Sequence, residues 1–133
     1  MDAATSAKLE INLYNVARAS LEELRLDYED YLRQHNEPLW SKDSSLYCEF
    51  VSRRIADKTG FRAFIGWAET YSPSVHIRTI PYKSVLVANG TLLLIDTTAY
   101  FLKRQIASKA NTFLHTGGFA ERMNRMRRKK RNG

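Results

Sequence analysis

The sequence predicts an all-α protein, a helical bundle with two long helices, two shorter helices and a short basic C-terminal helix. Three observations predict it. The stretch Asn15 to Gln34 (NVARASLEELRLDYEDYLRQ) repeats its apolar residues at the helical period. A second stripe (Val85, Ala88, Leu92, Ile95, Ala99, Leu102, Ile106, Ala110, Phe113) keeps the same phase from end to end. A chain of 133 residues with 44% apolar content suffices for one buried core and not comfortably for two.

The first helix is expected from about Thr5 to Gln34. Leu9, Leu13, Val16, Ala17, Ser20, Leu21, Leu24, Tyr28, Tyr31 and Leu32 step by threes and fours along one face. Only Ile11 and Leu26 break the pattern. Such a helix is roughly 45 Å long at 1.5 Å rise per residue. Asn36 and Pro38 end it, because the residue before a proline is pushed out of the helical region. Trp40 in the connector is expected to pack back on this helix.

A second helix is expected from Ser44 to Asp57, burying Leu46, Tyr47, Phe50, Val51 and Ile55. A third runs from Gly60 to Glu69 with Thr59 as N-cap and Phe61, Phe64, Ile65 and Ala68 inward. Tyr71 to Ile80 has no helical period and reads as a loop. From Pro81 two signals conflict. Asn89-Gly90 stands between two β-favouring runs, the strongest short-range hairpin signal. The apolar stripe nevertheless passes through the pair in phase, so the reading is a central helix from about Pro81 to Thr116 with Gly90 as its weak point. Gly117-Gly118 stop it. Phe119, Met123 and Met126 then space a short amphipathic helix ahead of the RRKKRNG tail.

Composition excludes several classes. Cys48 is the sole cysteine, so neither an intramolecular disulfide nor a cysteine metal cluster is available, and a cytoplasmic location is expected. Met1 to Ser6 carries an acid and precedes no apolar run, unlike a signal peptide. Val85 to Leu102 is interrupted by Asn89, Gly90, Thr91, Asp96, Thr97 and Thr98, so no membrane span is expected there. The net charge of +7 lies wholly in Arg122, Arg125, Arg127, Arg128, Lys129, Lys130 and Arg131, since residues 1–121 balance their acids and bases. The expected organisation is one helical domain over residues 1–121 and a basic tail over 122–133.

The segment Thr5-Ser6 through Trp40, with Gly117-Gly118-Phe119 and Glu121-Arg122-Met123, resembles the four-helix-bundle proteins that carry a four helix bundle suffix domain. That broader family includes proteins encoded by intervening sequences of large-subunit ribosomal RNA genes, and the accessory protein of diversity-generating retroelements. The latter is a basic pentameric barrel that associates with a reverse transcriptase and nucleic acid. The resemblance implies that residues 1–40 match the last part of the bundle and 41–121 the suffix region. It also implies that two N-terminal helices of the family pattern are missing. An apolar face shaped for more partners than the chain provides is rarely left open. Self-association, or pairing with a separately encoded N-terminal bundle fragment, is therefore expected through Leu13, Val16, Leu24, Tyr28 and Tyr31.

The basic run points to nucleic acid, RNA favoured, because several phosphates can be neutralised without sequence readout. A solvated tail and an acidic membrane surface are the competing readings. No aromatic follows Phe119, which argues against a base-stacking platform. Asp27, Glu29, Asp30, Glu22 and Glu23 read as a solvated helix face laced with arginines. His35, His76 and His115 form no ligand motif, and Cys48 reads as a small buried side chain. Asp96 lies in apolar sequence, where burial raises a carboxyl pKa, although a hydrogen bond to a neighbouring helix accounts for it as well. No residue set assembles catalytic roles, and no cofactor or metal is implied. The expected function is a non-catalytic, oligomeric accessory protein that associates with RNA, the alternative being a protein-interaction module or a truncated fragment with no independent activity.

Overall fold

Four of the periodic stretches of the sequence form helices in the computed structural model, which describes residues 3–71 and 77–112. The helices are α1 (Ala3–Gln34), α2 (Ser45–Arg53), α3 (Lys58–Thr70) and α4 (Tyr82–Thr112). No strand occurs among the described residues. The protein is thus all-α, and Asn89-Gly90 lies inside a helix, not in a hairpin. The terminal helix expected from Phe119 and the end expected at Thr116 lie outside the described residues.

Local chemistry sets the boundaries. Asn36 adopts a left-handed conformation at φ 56°, its N–H donates to Arg33 O and that of Glu37 donates to Leu32 O at 2.9 Å. This is a Schellman stop with asparagine where glycine is usual. Ser44 caps α2 by accepting from the Tyr47 N–H, and Arg54 closes it in the left-handed region at φ 47°. The helix ends four residues before the expected Asp57. Asp57, not Thr59, caps α3: its carboxylate accepts from the Gly60 N–H at 2.7 Å. Pro81 starts α4, its carbonyl accepting from the Ser84 N–H at 2.9 Å.

The chain divides into two compact units, one comprising residues 23–96 and the other residues up to 22 with those from 97 onward. The 23–96 unit holds the core. Phe50, Phe64, Ile65, Ala68 and Leu86 are buried together, with Trp40, Phe61 and Trp67 against them. Leu32, Val85, Ala88 and Leu92 form a second cluster, flanked by Tyr28, Tyr31 and Ile80. Trp40 belongs to the α2–α3 core and meets Phe64 edge-on at 5.9 Å, so its expected packing on the first helix is corrected. Val51, expected inward, is exposed.

Asn89 and Gly90 knit this unit together. Asn89 is buried and its Oδ1 accepts the Trp40 N–H at 3.0 Å, while its Nδ2 donates to Val85 O. The Phe61 ring lies so close to Gly90 that an added Cβ would stand 2.9 Å from its Cε2. The site read from sequence as a weak point is therefore where the connector and α3 meet α4.

The second unit buries little. Ala7 is its one buried hydrophobic residue among those described, whereas Leu9, Leu13, Val16, Tyr100 and Phe101 are exposed.

Candidate interaction surface

The apolar residues of α1 divide between two faces. Ala7 is buried, and Ile11, Tyr14, Ala17, Leu21, Tyr28, Tyr31 and Leu32 are buried or half-buried. Leu9, Leu13, Val16 and Leu24 are exposed, Leu13 at 59% and Val16 at 65%. The single inward stripe expected from sequence is corrected accordingly: Ile11 sits on the covered side and Leu13 and Val16 on the open one. Among the interface residues expected from sequence, Leu13, Val16 and Leu24 stand open to solvent. Tyr28 and Tyr31 pack on the Leu32–Val85–Ala88–Leu92 cluster and line a shallow groove with Pro81, Ser84 and Val87.

In the unit built from residues up to 22 and from 97 onward, a cleft of about 570 Å³ lies between Leu13, Tyr14 and Ala17 of α1 and Leu102, Gln105 and Ile106 of α4. Glu10 and Lys109 also line it, paired at 3.4 Å. Both are well exposed, and a pair in that setting contributes about 0–1 kcal/mol.

The seven bases expected to bind nucleic acid, Arg122, Arg125, Arg127, Arg128, Lys129, Lys130 and Arg131, lie outside the described residues, as do His76 and His115. Two acids of α1 are paired along the helix, Glu29 with Arg25 at 3.0 Å and Asp30 with Arg33 at 2.6 Å. No group of three metal-ligating side chains occurs among the described residues. Cys48, expected to be buried, is exposed, its Sγ 3.5 Å from Lys42 O. Asp96 is exposed as well, so the apolar surroundings read from its sequence neighbours do not enclose it.

One polar cluster has no counterpart in the sequence reading. Glu37, turned inward by the Schellman stop, is buried and pairs with Arg78 at 3.3 Å. The Arg78 guanidinium lies 4.6 Å from the centre of the Tyr82 ring. The Tyr82 hydroxyl is buried without a hydrogen-bond partner, and desolvation raises its pKa above 10.0 against the opposing pull of Arg78. Beside them His35 Nδ1 lies 3.0 Å from Thr79 Oγ1. The cluster fastens the segment before α4 to the end of α1. Its chemistry is that of a clamp.

α4 from Tyr82 to Asn111 is long and apolar enough to cross a membrane, with a mean hydropathy of 1.5 over its best window. The core helix of a soluble protein meets the same criterion. Comparison with known family models, curated proteins and solved structures finds no match.

Proposed function

We propose that this protein is a non-catalytic helical accessory module that self-associates through the open face of α1 and holds RNA through Arg122 to Arg131. The observation that carries the reading is the exposed row Leu9, Leu13 and Val16 in a unit with one buried hydrophobic residue among those described. Contiguous apolar surface of this kind marks a contact site in a soluble protein. The basic run supplies the nucleic-acid half of the reading: seven bases within ten residues and no acid among them give salt-dependent phosphate affinity.

We read α4 as a core helix because Trp40 and Phe61 engage it at Asn89 and Gly90. A protein-interaction module without nucleic-acid affinity is the second reading, favoured by the same open face. Purification of the intact chain separates the two. The accessory reading expects nucleic acid that copurifies and is removed by RNase or high salt, in an assembly larger than one chain by light scattering. Nucleic-acid-free oligomer establishes the second reading, and a nucleic-acid-free monomer sinks both.

A further inference from the structure

We propose that the outward face of α4 from Thr97 to Asn111 is a contact site for single-stranded RNA, in which Tyr100 and Phe101 stack on unpaired bases while Lys103 and Arg104 meet the phosphates.

Exposure of the two aromatics is the starting observation. Tyr100 and Phe101 are each 56% exposed, and their ring centroids lie 5.8 Å apart at an interplanar angle of 63°. The Arg104 guanidinium stands 5.9 Å from the centre of the Tyr100 ring, so a cation is held beside an aromatic face. All of these residues belong to the unit that contains residues from 97 onward.

Helical spacing sets their company. Steps of three and four place Thr97, Tyr100, Phe101, Arg104, Ser108 and Asn111 on one side of α4, and every one of them is exposed. Ala99, Leu102, Ile106 and Ala110 form the half-buried stripe on the other side. The rings therefore stand among hydroxyl, amide and guanidinium groups, with no leucine, isoleucine or valine on their face.

Charge selects the partner. Thr97 to Thr112 holds Lys103, Arg104 and Lys109 and no acid, which suits a polyanion. An acidic membrane takes up a helix by a broad apolar face, and here the aliphatic stripe is turned the other way. A protein contact is better served by the aliphatic row Leu9, Leu13 and Val16 of α1. Aromatic rings beside cations match unpaired nucleotides, since every base has a π-face and every link a phosphate. The basic run from Arg122 carries no aromatic, so stacking has to come from elsewhere in the chain. The proposal shares its ligand class with the RNA reading above and stands on different residues.

Fluorescence anisotropy of a labelled, unstructured oligoribonucleotide titrated with the full chain tests it. Tyr100→Ala with Phe101→Ala is expected to weaken binding about ten-fold or more, with the slope of affinity against salt unchanged because no cation is removed. Tyr100→Phe with Phe101→Tyr keeps both rings and should retain wild-type affinity. Arg104→Gln should lower the salt slope. Duplex RNA of the same length should bind the alanine pair as well as the wild type, since paired bases offer no open face. Circular dichroism and the emission of Trp40 and Trp67, both in the core of the 23–96 unit, report that the variants are folded. Equal affinity of wild type and alanine pair for the single strand overturns the proposal and leaves the tail reading standing, as does an equal loss for the ring-retaining pair. Replacement of Arg125, Arg127, Arg128, Lys129, Lys130 and Arg131 by glutamine judges the tail separately. A wild-type chain that binds no RNA overturns both. A change in assembly mass by light scattering with RNA affinity intact would make the patch a protein contact and reject the proposal.

Discussion

The side-chain oxygen of Asn89, in the middle of α4, accepts the backbone N–H of Trp40 at 3.0 Å. A buried amide thus satisfies a donor in a connector that makes no ladder or helix bond there. Asn89→Ala improves helix propensity by at most about 0.7 kcal/mol but strands the Trp40 N–H, which costs about 1–3 kcal/mol. Net destabilisation is expected in urea titrations followed by tryptophan emission. Equal or greater stability would show that the bond contributes nothing.

Gly90 has the opposite logic, since it is chosen for what it lacks. Gly90→Ala gains about 1 kcal/mol of helix propensity, yet its Cβ would meet Phe61 Cε2 at 2.9 Å and Cζ at 3.2 Å. Overpacking of this kind costs about 1–3 kcal/mol, so the substitution is expected to be neutral to destabilising in the wild-type background. In a Phe61→Leu background the clash is gone and the same change should stabilise. A double-mutant cycle reads that reversal of sign as a coupling energy.

These two residues also show what sequence pattern can reveal. The phase of Val85, Ala88, Leu92 and Ile95 was sufficient to identify a helix through an Asn-Gly pair, because periodicity over many residues outweighs a local turn signal. The reason for the pair was hidden, since Trp40 and Phe61 come from distant parts of the chain. The start of α2 near Ser44 was legible, although its role as the cap was not, and the cap of α3 was placed at Thr59 where Asp57, expected to end the preceding helix, supplies it. In α1 the apolar positions fill two faces, and periodicity cannot decide which one a neighbour covers. Ile11 therefore changed places with Leu13. The Glu37–Arg78 pair joins distant segments and has no local signature at all.

That pair supports a third prediction. The Glu37 side chain is 3% exposed and that of Arg78 18%, so the charges are screened little by water. Arg78→Met takes the guanidinium away from a buried carboxylate and is expected to cost up to about 3–5 kcal/mol. Glu37→Leu combined with Arg78→Met should recover most of that loss, as buried pairs replaced by apolar side chains often do. Failure of the double variant to recover would mean that Glu37 is held chiefly by its other contacts.

Tyr82 sets the alkaline behaviour. Burial raises its pKa above 10.0, so the unfolded chain loses the phenolic proton at lower pH than the folded one. Its contribution to stability is complete below about pH 10 and is lost as pH rises through the folded-state value. Tyr82→Phe removes a buried hydroxyl that has no partner and keeps the ring beneath Arg78. The variant is expected to match or exceed wild-type stability at pH 7 and to show a shallower decline above pH 10 in thermal melts. An unaltered alkaline slope would assign the decline to other tyrosines.

The open row of α1 yields the test closest to function. Leu13 and Val16 are 59% and 65% exposed, so Leu13→Asp with Val16→Asp removes little packing within a single chain. Surface changes away from buried contacts shift stability by about 0.5 kcal/mol or less. A contact in which these side chains are desolvated against another chain responds differently, because each introduced carboxylate must then be buried or ionised in an apolar interface. The expected outcome is a folded protein, with the tryptophan emission of the 23–96 core intact, whose mass by light scattering falls to that of one chain. Retention of the wild-type assembly would remove α1 from the interface.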